Sequence, residues 1–255
     1  RTLPDAEIYF VSNQHNERVV FNGEFRVSQE FSPELWNPVT GEIRYLPDFK
    51  SKEGYISLPV ELEGNESAFI VFRKNNKLTE TKDNFPQKVT VCKINTPWRI
   101  TFEAGKRGPE TPVVWSQLKD WMNSENDSIK YFSGQAVYET TFTLEKLPQK
   151  NLYIDLGNVM VMAKVTLNGQ YVGGVWTFPY RLNVTGYLKE GENKLEITVV
   201  NNWQNRLIGD QRFPEDQRLT WTTINPWKAD SSLQSSGLLG PVEIQAFDYK
   251  IVKPE

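Results

Sequence analysis

Apolar residues recur along much of this chain at every second position, the period of a strand with one face buried. Between Arg18 and Ser28, Val19, Phe21, Gly23, Phe25 and Val27 share one face. Arg18, Asn22, Glu24 and Arg26 take the other, with Val20 the exception. The Asn22-Gly23 pair inside that run is a common hairpin signal. A hairpin there would set Phe21 opposite Glu24 and Val19 opposite Arg26 and mix the faces, so the pattern predicts one continuous strand, with Gly23 marking a bulge. Glu7–Ser12, Ile43–Leu46, Tyr55–Leu62 and Ser67–Phe72 predict further short strands, with Thr40-Gly41-Glu42 as a turn. Short strands at close spacing with turn signals between them predict a β-sandwich.

From Arg73 to Lys88 the chain is polar and charged, interrupted by Leu78 and Phe85 and closed by Pro86, which marks a linker. Strands resume at Val89–Ile94, Trp98–Phe102, Val137–Leu144, Leu152–Leu156, Ala163–Leu167, Arg181–Val184, Lys194–Val200 and Leu239–Tyr249. Asn168-Gly169 predicts a hairpin that pairs Val165 with Val172, because a single strand through it would far exceed the usual roughly 5–6 residues. Trp115, Leu118, Trp121 and Met122 make one helical face, so Pro112–Asn123 predicts a helical turn or two lying on the sandwich. Gln204 to Gly240 is a long irregular stretch with one strand-like run, Arg218–Thr222; long structured loops in compact domains are uncommon and often functional. The expectation is an all-β chain of two β-sandwich domains, residues 1–86 with a linker from about 73, and residues 87–255.

Composition narrows the functions. At 255 residues the chain suits two domains. Its net charge of −3, with basic residues scattered, gives a nucleic-acid partner no electrostatic support. No apolar run approaches the roughly 20 residues of a membrane helix. One cysteine, Cys92, allows no internal disulfide, and a single histidine, His15, in a polar turn, leaves a zinc site or a serine or cysteine triad almost without ligands or a base. The opening at Arg1 runs straight into a strand and reads as the middle of a protein, or else as a mature form after cleavage.

Two groups of segments carry a family resemblance. Glu7-Ile8-Tyr9-Phe10-Val11-Ser12-Asn13 with Pro33-Glu34-Leu35-Trp36-Asn37-Pro38-Val39-Thr40-Gly41-Glu42-Ile43 resembles the sandwich that follows the catalytic region in α-L-rhamnosidases of glycoside hydrolase family 106. Tyr131-Phe132-Ser133-Gly134, Ala136-Val137-Tyr138-Glu139, Leu167-Asn168-Gly169, Val184-Thr185-Gly186-Tyr187-Leu188 and Gly191-Glu192-Asn193 are similar to the sugar-binding jelly-roll of many glycosidases, including family-two enzymes. Asn205–Asp210, Pro214–Asp216, Thr220–Thr222 and Ser236–Val242 resemble the rhamnosidases more narrowly. The resemblance implies that the second domain is a galactose-binding-like jelly-roll. It also implies an upstream catalytic barrel-like domain with two carboxylates and a calcium ion, and a bacterial periplasmic, cell-surface or secreted location. No segment here matches that catalytic domain, so no catalytic residue is carried over.

The long loop holds the candidate chemistry. A flat aromatic face suits the C–H face of a pyranose, and Trp203, Trp221 and Trp227 lie in or beside the loop; each could equally pack over a sandwich edge. Arg206, Arg212 and Arg218 share it with Asp210, Glu215 and Asp216, so an Arg fork could hold a sugar carboxylate or pair with these acids. The candidate carbohydrate-binding set is Trp203, Arg206, Asp210, Trp221 and Trp227, with no catalytic residue and no metal ligand assigned. Jelly-roll modules often carry structural calcium, but no spaced calcium loop is present and no cofactor is assigned. The expected role is a non-catalytic accessory region of a glycoside hydrolase, partnered by the catalytic domain of its parent chain and by an oligo- or polysaccharide. An autonomous carbohydrate-binding module is the alternative, and a small hydrolase using the acids at 210–216 a third reading.

Overall fold

The computed structural model describes residues 1–27, 30–74, 83–249 and 251. Strands make most of its regular structure, and they gather around two separate cores.

The first core lies between two antiparallel sheets. One has the order β1 (Ala6–Ser12), β7 (Ser67–Lys74), β3 (Phe31–Trp36), β4 (Ile43–Tyr45), and the other β2 (Val19–Arg26), β6 (Tyr55–Leu62), β5 (Lys50–Lys52). Strand β6 shows why these residues form strands. Ile56, Leu58, Val60 and Leu62 point inward at strand period, and each such burial is worth roughly 1.5–3 kcal/mol. Strand β2 runs straight through Asn22-Gly23, paired with β6 from Val19↔Leu62 to Arg26↔Tyr55 without a shift of register, so the expected bulge at Gly23 is absent. Glycine is needed there for space: a Cβ would stand 2.7 Å from the Phe25 ring.

The polar stretch after β7 was expected to be a free linker. Residues 75–82 fall outside the described residues, but Asn84 is buried on the first unit. Its side chain accepts from Asp48 N at 2.8 Å and donates to Asp48 O at 2.7 Å, which ties the stretch down.

The second core lies between a six-stranded sheet and a four-stranded one. The six-stranded order is β10 (Val113–Trp115), β9 (Trp98–Phe102), β11 (Gln135–Leu144), β17 (Gly191–Val200), β14 (Met162–Leu167), β15 (Gln170–Val175). The four-stranded order is β16 (Arg181–Asn183), β12 (Asn151–Asp155), β19 (Glu243–Phe247), β8 (Val89–Lys93), and β13 (Asn158–Met160) with β18 (Gly237–Gly240) makes a small ribbon. All pairs are antiparallel, as a jelly-roll sandwich requires. Ile100, Tyr138, Val165 and Ile197 from the first sheet meet Ile154 and Ile244 from the second.

Several expectations fail for visible reasons. Pro112–Asn123 is helical only at its end: Val113–Trp115 is an edge strand on β9, and a single 3-10 turn, Trp121–Asn123, follows, capped by Asp120 Oδ1 on Met122 N. Its apolar residues face one way because the segment crosses the sandwich, with Trp121 fully buried and donating to Tyr138 Oη at 2.7 Å. A short α-helix, α1 (Asp127–Lys130), comes just after. The Asn168-Gly169 hairpin forms, with both residues at positive φ, 53° and 79°, as its turn type demands. A shift of register after Val165 makes Gly173 its partner instead of Val172. Pro241 divides the run expected from Leu239 to Tyr249 into β18 and β19. In the long loop, Arg218–Thr222 is no strand, and the loop opens with a helix that strand periodicity could not show, α2 (Gln204–Asp210).

Candidate functional site

Helix α2 starts where β17 runs out, and it is the anchor of the long loop. Arg206 and Asp210 stand one turn apart on its inner side, Nη2 to Oδ1 at 2.9 Å, with side chains only 7% and 1% exposed. Arg206 Nε has no hydrogen-bond partner, so the pair is a facing of charges more than a two-bond fork. Burial pushes the Arg206 guanidinium below its ordinary pKa, and Asp210 pulls it back up. The other carboxylate oxygen, Asp210 Oδ2, accepts from Leu219 N at 3.1 Å, Thr220 N at 2.9 Å and Thr220 Oγ1 at 2.6 Å. One buried carboxylate thus folds the loop back onto its own helix.

Further ties fix the base. Asn205 donates to Gln234 O at 2.6 Å and accepts from Gln234 N at 2.8 Å, closing the two ends of the loop together. Gly209 lies so close to Tyr131 that a Cβ would stand 2.8 Å or less from its ring. Arg212 pairs with Asp127 at 2.7 Å and lies over Tyr131, and Arg107 donates to Gln217 O at 2.7 Å. The expected mutual pairing of three arginines with three acids therefore holds for Arg206 with Asp210. Arg212 goes to Asp127, and Arg218 donates to Phe213 O. Glu215 and Asp216 are exposed in a 3-10 turn while Asp210 is buried, so the acids do not face one another across a common cavity.

The tip is the opposite of the base. Trp221 is 81% exposed and Ile224 79%, with Trp203, Phe213 and Leu219 exposed around the same loop. Trp227 is half-buried, its N–H bound by Asn225 Oδ1. Of the candidate residues, Trp203 and Trp221 are presented to solvent, Trp227 in part, and Arg206 and Asp210 lie within the scaffold.

A second concave feature lies between the two units, where periodicity gave no hint of a site. Glu42, beside β4, accepts from Tyr153 Oη at 2.5 Å, Asn183 Nδ2 at 3.1 Å and Tyr249 Oη at 3.3 Å, all from the second unit. Arg44 is buried, stacked between the rings of Phe85 and Tyr249, and donates to Asn84 O at 2.5 Å. Burial pushes the Arg44 guanidinium down and the Tyr153 and Tyr249 hydroxyls well up. Next to this hub opens a cleft of about 140 Å³, lined from the first unit by Glu42, Glu63 and Glu66 and from the second by Phe178, Arg181 and Tyr249. These partners stand 111 to 207 residues apart in the chain, a separation that no local pattern reports.

Comparison with known proteins bears on both features. Residues 115–232, which hold the loop and its base, match the family described as glycosyl hydrolase 2 galactose-binding domain-like. Residues 1–51, which hold Glu42, match the alpha-L-rhamnosidase family, glycoside hydrolase 106. The second unit has the galactose-binding-like jelly-roll fold. This galactose-binding-like domain and the sandwich beside it together resemble a solved rhamnosidase from Novosphingobium sp. PP1Y, with a TM-score of 0.86 and 35% identity over 96% of this chain. A protein of Formosa agariphila whose name assigns it provisionally to the beta-glucuronidases is 43% identical over 164 residues, 54% of this chain. The chain spans 23% of the length of the rhamnosidase and 14% of the length of the Formosa protein.

Proposed function

We propose that this chain is a non-catalytic accessory region of a longer, rhamnosidase-like glycoside hydrolase, and that the loop from Trp203 to Leu233 is the surface it presents to the catalytic part of that enzyme and to its glycan. The observation that carries this reading is the contrast within the loop: a base locked by the buried Arg206–Asp210 pair, and a tip with Trp221 and Ile224 almost fully in solvent. Clustered exposed apolar side chains mark interaction sites, and an aromatic held on a rigid base binds with little loss of conformational entropy. The rhamnosidase and glucuronidase relatives, each several times longer than this chain, support the same reading. Action in the periplasm or at the cell surface goes with it.

The test is turnover of an aryl α-L-rhamnoside by the isolated chain and by the parent enzyme. The isolated chain should show none above buffer, while Trp221→Ala and Ile224→Ser in the parent should lower its melting temperature or raise KM. Turnover by the isolated chain, lost in Asp210→Asn, would overturn the accessory role. Glycan binding by the isolated chain that is lost in Trp221→Ala, with the parent's stability and KM unchanged, would establish the autonomous binding module instead.

A further inference from the structure

The cleft between the two units has a chemical bias of its own. Its carboxylates are Glu42, Glu61, Glu63 and Glu66, and its guanidiniums are Arg44 and Arg181. Both guanidiniums are occupied, Arg44 by two rings and Asn84 O, and Arg181 by Asp155, to which it donates twice at 2.9 and 3.2 Å. Glu61 is paired with Arg18. Glu63 and Glu66 have no ion-pair partner among the described residues; Glu66 Oε2 accepts from Glu63 N at 2.7 Å. The charged groups left unpaired in the cleft are therefore acceptors, set beside the neutral hydroxyls of Ser67 and Thr177 and the amide of Asn37.

Such a surface selects its ligand class. A carboxylate or phosphate ligand would meet net negative charge and no free guanidinium. A metal ion needs several ligands converging on one point, and among the described residues no group of three or more His, Cys, Asp and Glu side chains could hold one. A neutral molecule with several O–H donors and an apolar C–H face meets carboxylate acceptors of the first unit and the rings of Phe178, Phe247 and Tyr249 of the second. The volume, about 140 Å³, is below the roughly 300–1,000 Å³ of drug-sized pockets and suits one small ring.

We propose that this inter-unit cleft is a subsite for a single neutral sugar ring of a glycan, with Glu63 and Glu66 accepting its hydroxyls, Glu42 at its floor and Phe178 against its apolar face. It rests on the carbohydrate part of the function proposed above, but it uses a surface separate from the loop. Glu66 agrees with this placement: burial in the cleft raises its carboxyl pKa, against the pull of the Glu63 N–H and of Arg181.

Calorimetric or ligand-detected NMR titration of the 255-residue chain with methyl α-L-rhamnoside and with D-glucuronate tests it. The neutral glycoside should bind at least tenfold more tightly than the uronate. Phe178→Ala should weaken it tenfold or more and Glu66→Gln several-fold. Glu66→Gln keeps an acceptor for Glu63 N, so it reports on the ligand even if Phe178→Ala unfolds the cleft. Unchanged binding in Glu66→Gln and Phe178→Ala, or loss confined to Trp221→Ala, overturns the cleft and leaves the loop reading intact. A preference for the uronate, or no binding of either sugar, also overturns it, while the accessory role stands or falls on the parent enzyme's response to Trp221→Ala and Ile224→Ser.

Discussion

Asp210 is the residue on which the loop turns. Its two oxygens serve Arg206 on one side and Leu219 and Thr220 on the other, and it is almost wholly buried. Removing one member of a buried ion pair strands the other charge, so Asp210→Ala should cost about 3–5 kcal/mol, read as a fall in urea midpoint at constant m. A loss below about 1 kcal/mol would mean that the pair is not buried in solution. Glu66 gives the opposite sign. Its carboxyl pKa is raised on folding, so its contribution favours the folded state below the ordinary carboxylate value and is lost as pH rises through the raised one. Glu66→Gln should therefore gain stability on the parent sequence between acid and neutral pH, checked by urea melts at about pH 4 and about pH 7. At this scale the sequence drew attention to Arg206 and Asp210 but could not assign their parts. Arg206 and Asp210 look the same in a sequence whether they face a sugar or each other, because burial is a property of what packs over them.

Strands with one buried face were plain in the sequence, since alternation survives whatever they pair with; β6 is the clear case, while in β2 only Gly23 and Phe25 of the expected face are buried. Elements set by tertiary contact were not. Val113–Trp115 is a strand because β9 has a free edge, and α2 forms where Gly209 can lie against Tyr131. Turn chemistry was legible at Asn168-Gly169, where both residues need positive φ. Gly169→Ala has open space for its methyl group but a backbone that resists it, so it should cost about 1–2 kcal/mol by thermal or urea denaturation with no change in the core. A neutral result would mean that the turn takes another conformation.

At the scale of the molecule, two sandwiches with separate cores meet at a hub centred on Glu42 and Arg44. Glu42 accepts three hydrogen bonds from the second unit, two from buried tyrosine hydroxyls. Glu42→Ala leaves those groups without an acceptor and loosens the joint more than either core. Scanning calorimetry should show one cooperative transition for the parent chain and two for the variant. A single, merely shifted transition in Glu42→Ala would place the coupling elsewhere in the interface. None of this was visible beforehand, because a hub made of residues from distant strands leaves no period, spacing or composition behind it.

The long loop has a further consequence for how such a region can change over generations. Its fastenings run from Asn205, Arg206 and Asp210 through Arg212 and Thr220 to Gln234, while Trp221 and Ile224 contribute little to holding it. Mutations at the tip are therefore nearly free of folding penalty, and mutations at the fastenings are not. Descendants of this chain can exchange the tip for a new recognition surface while inheriting the socket unchanged, so diversity among them should concentrate from Trp221 to Ile224.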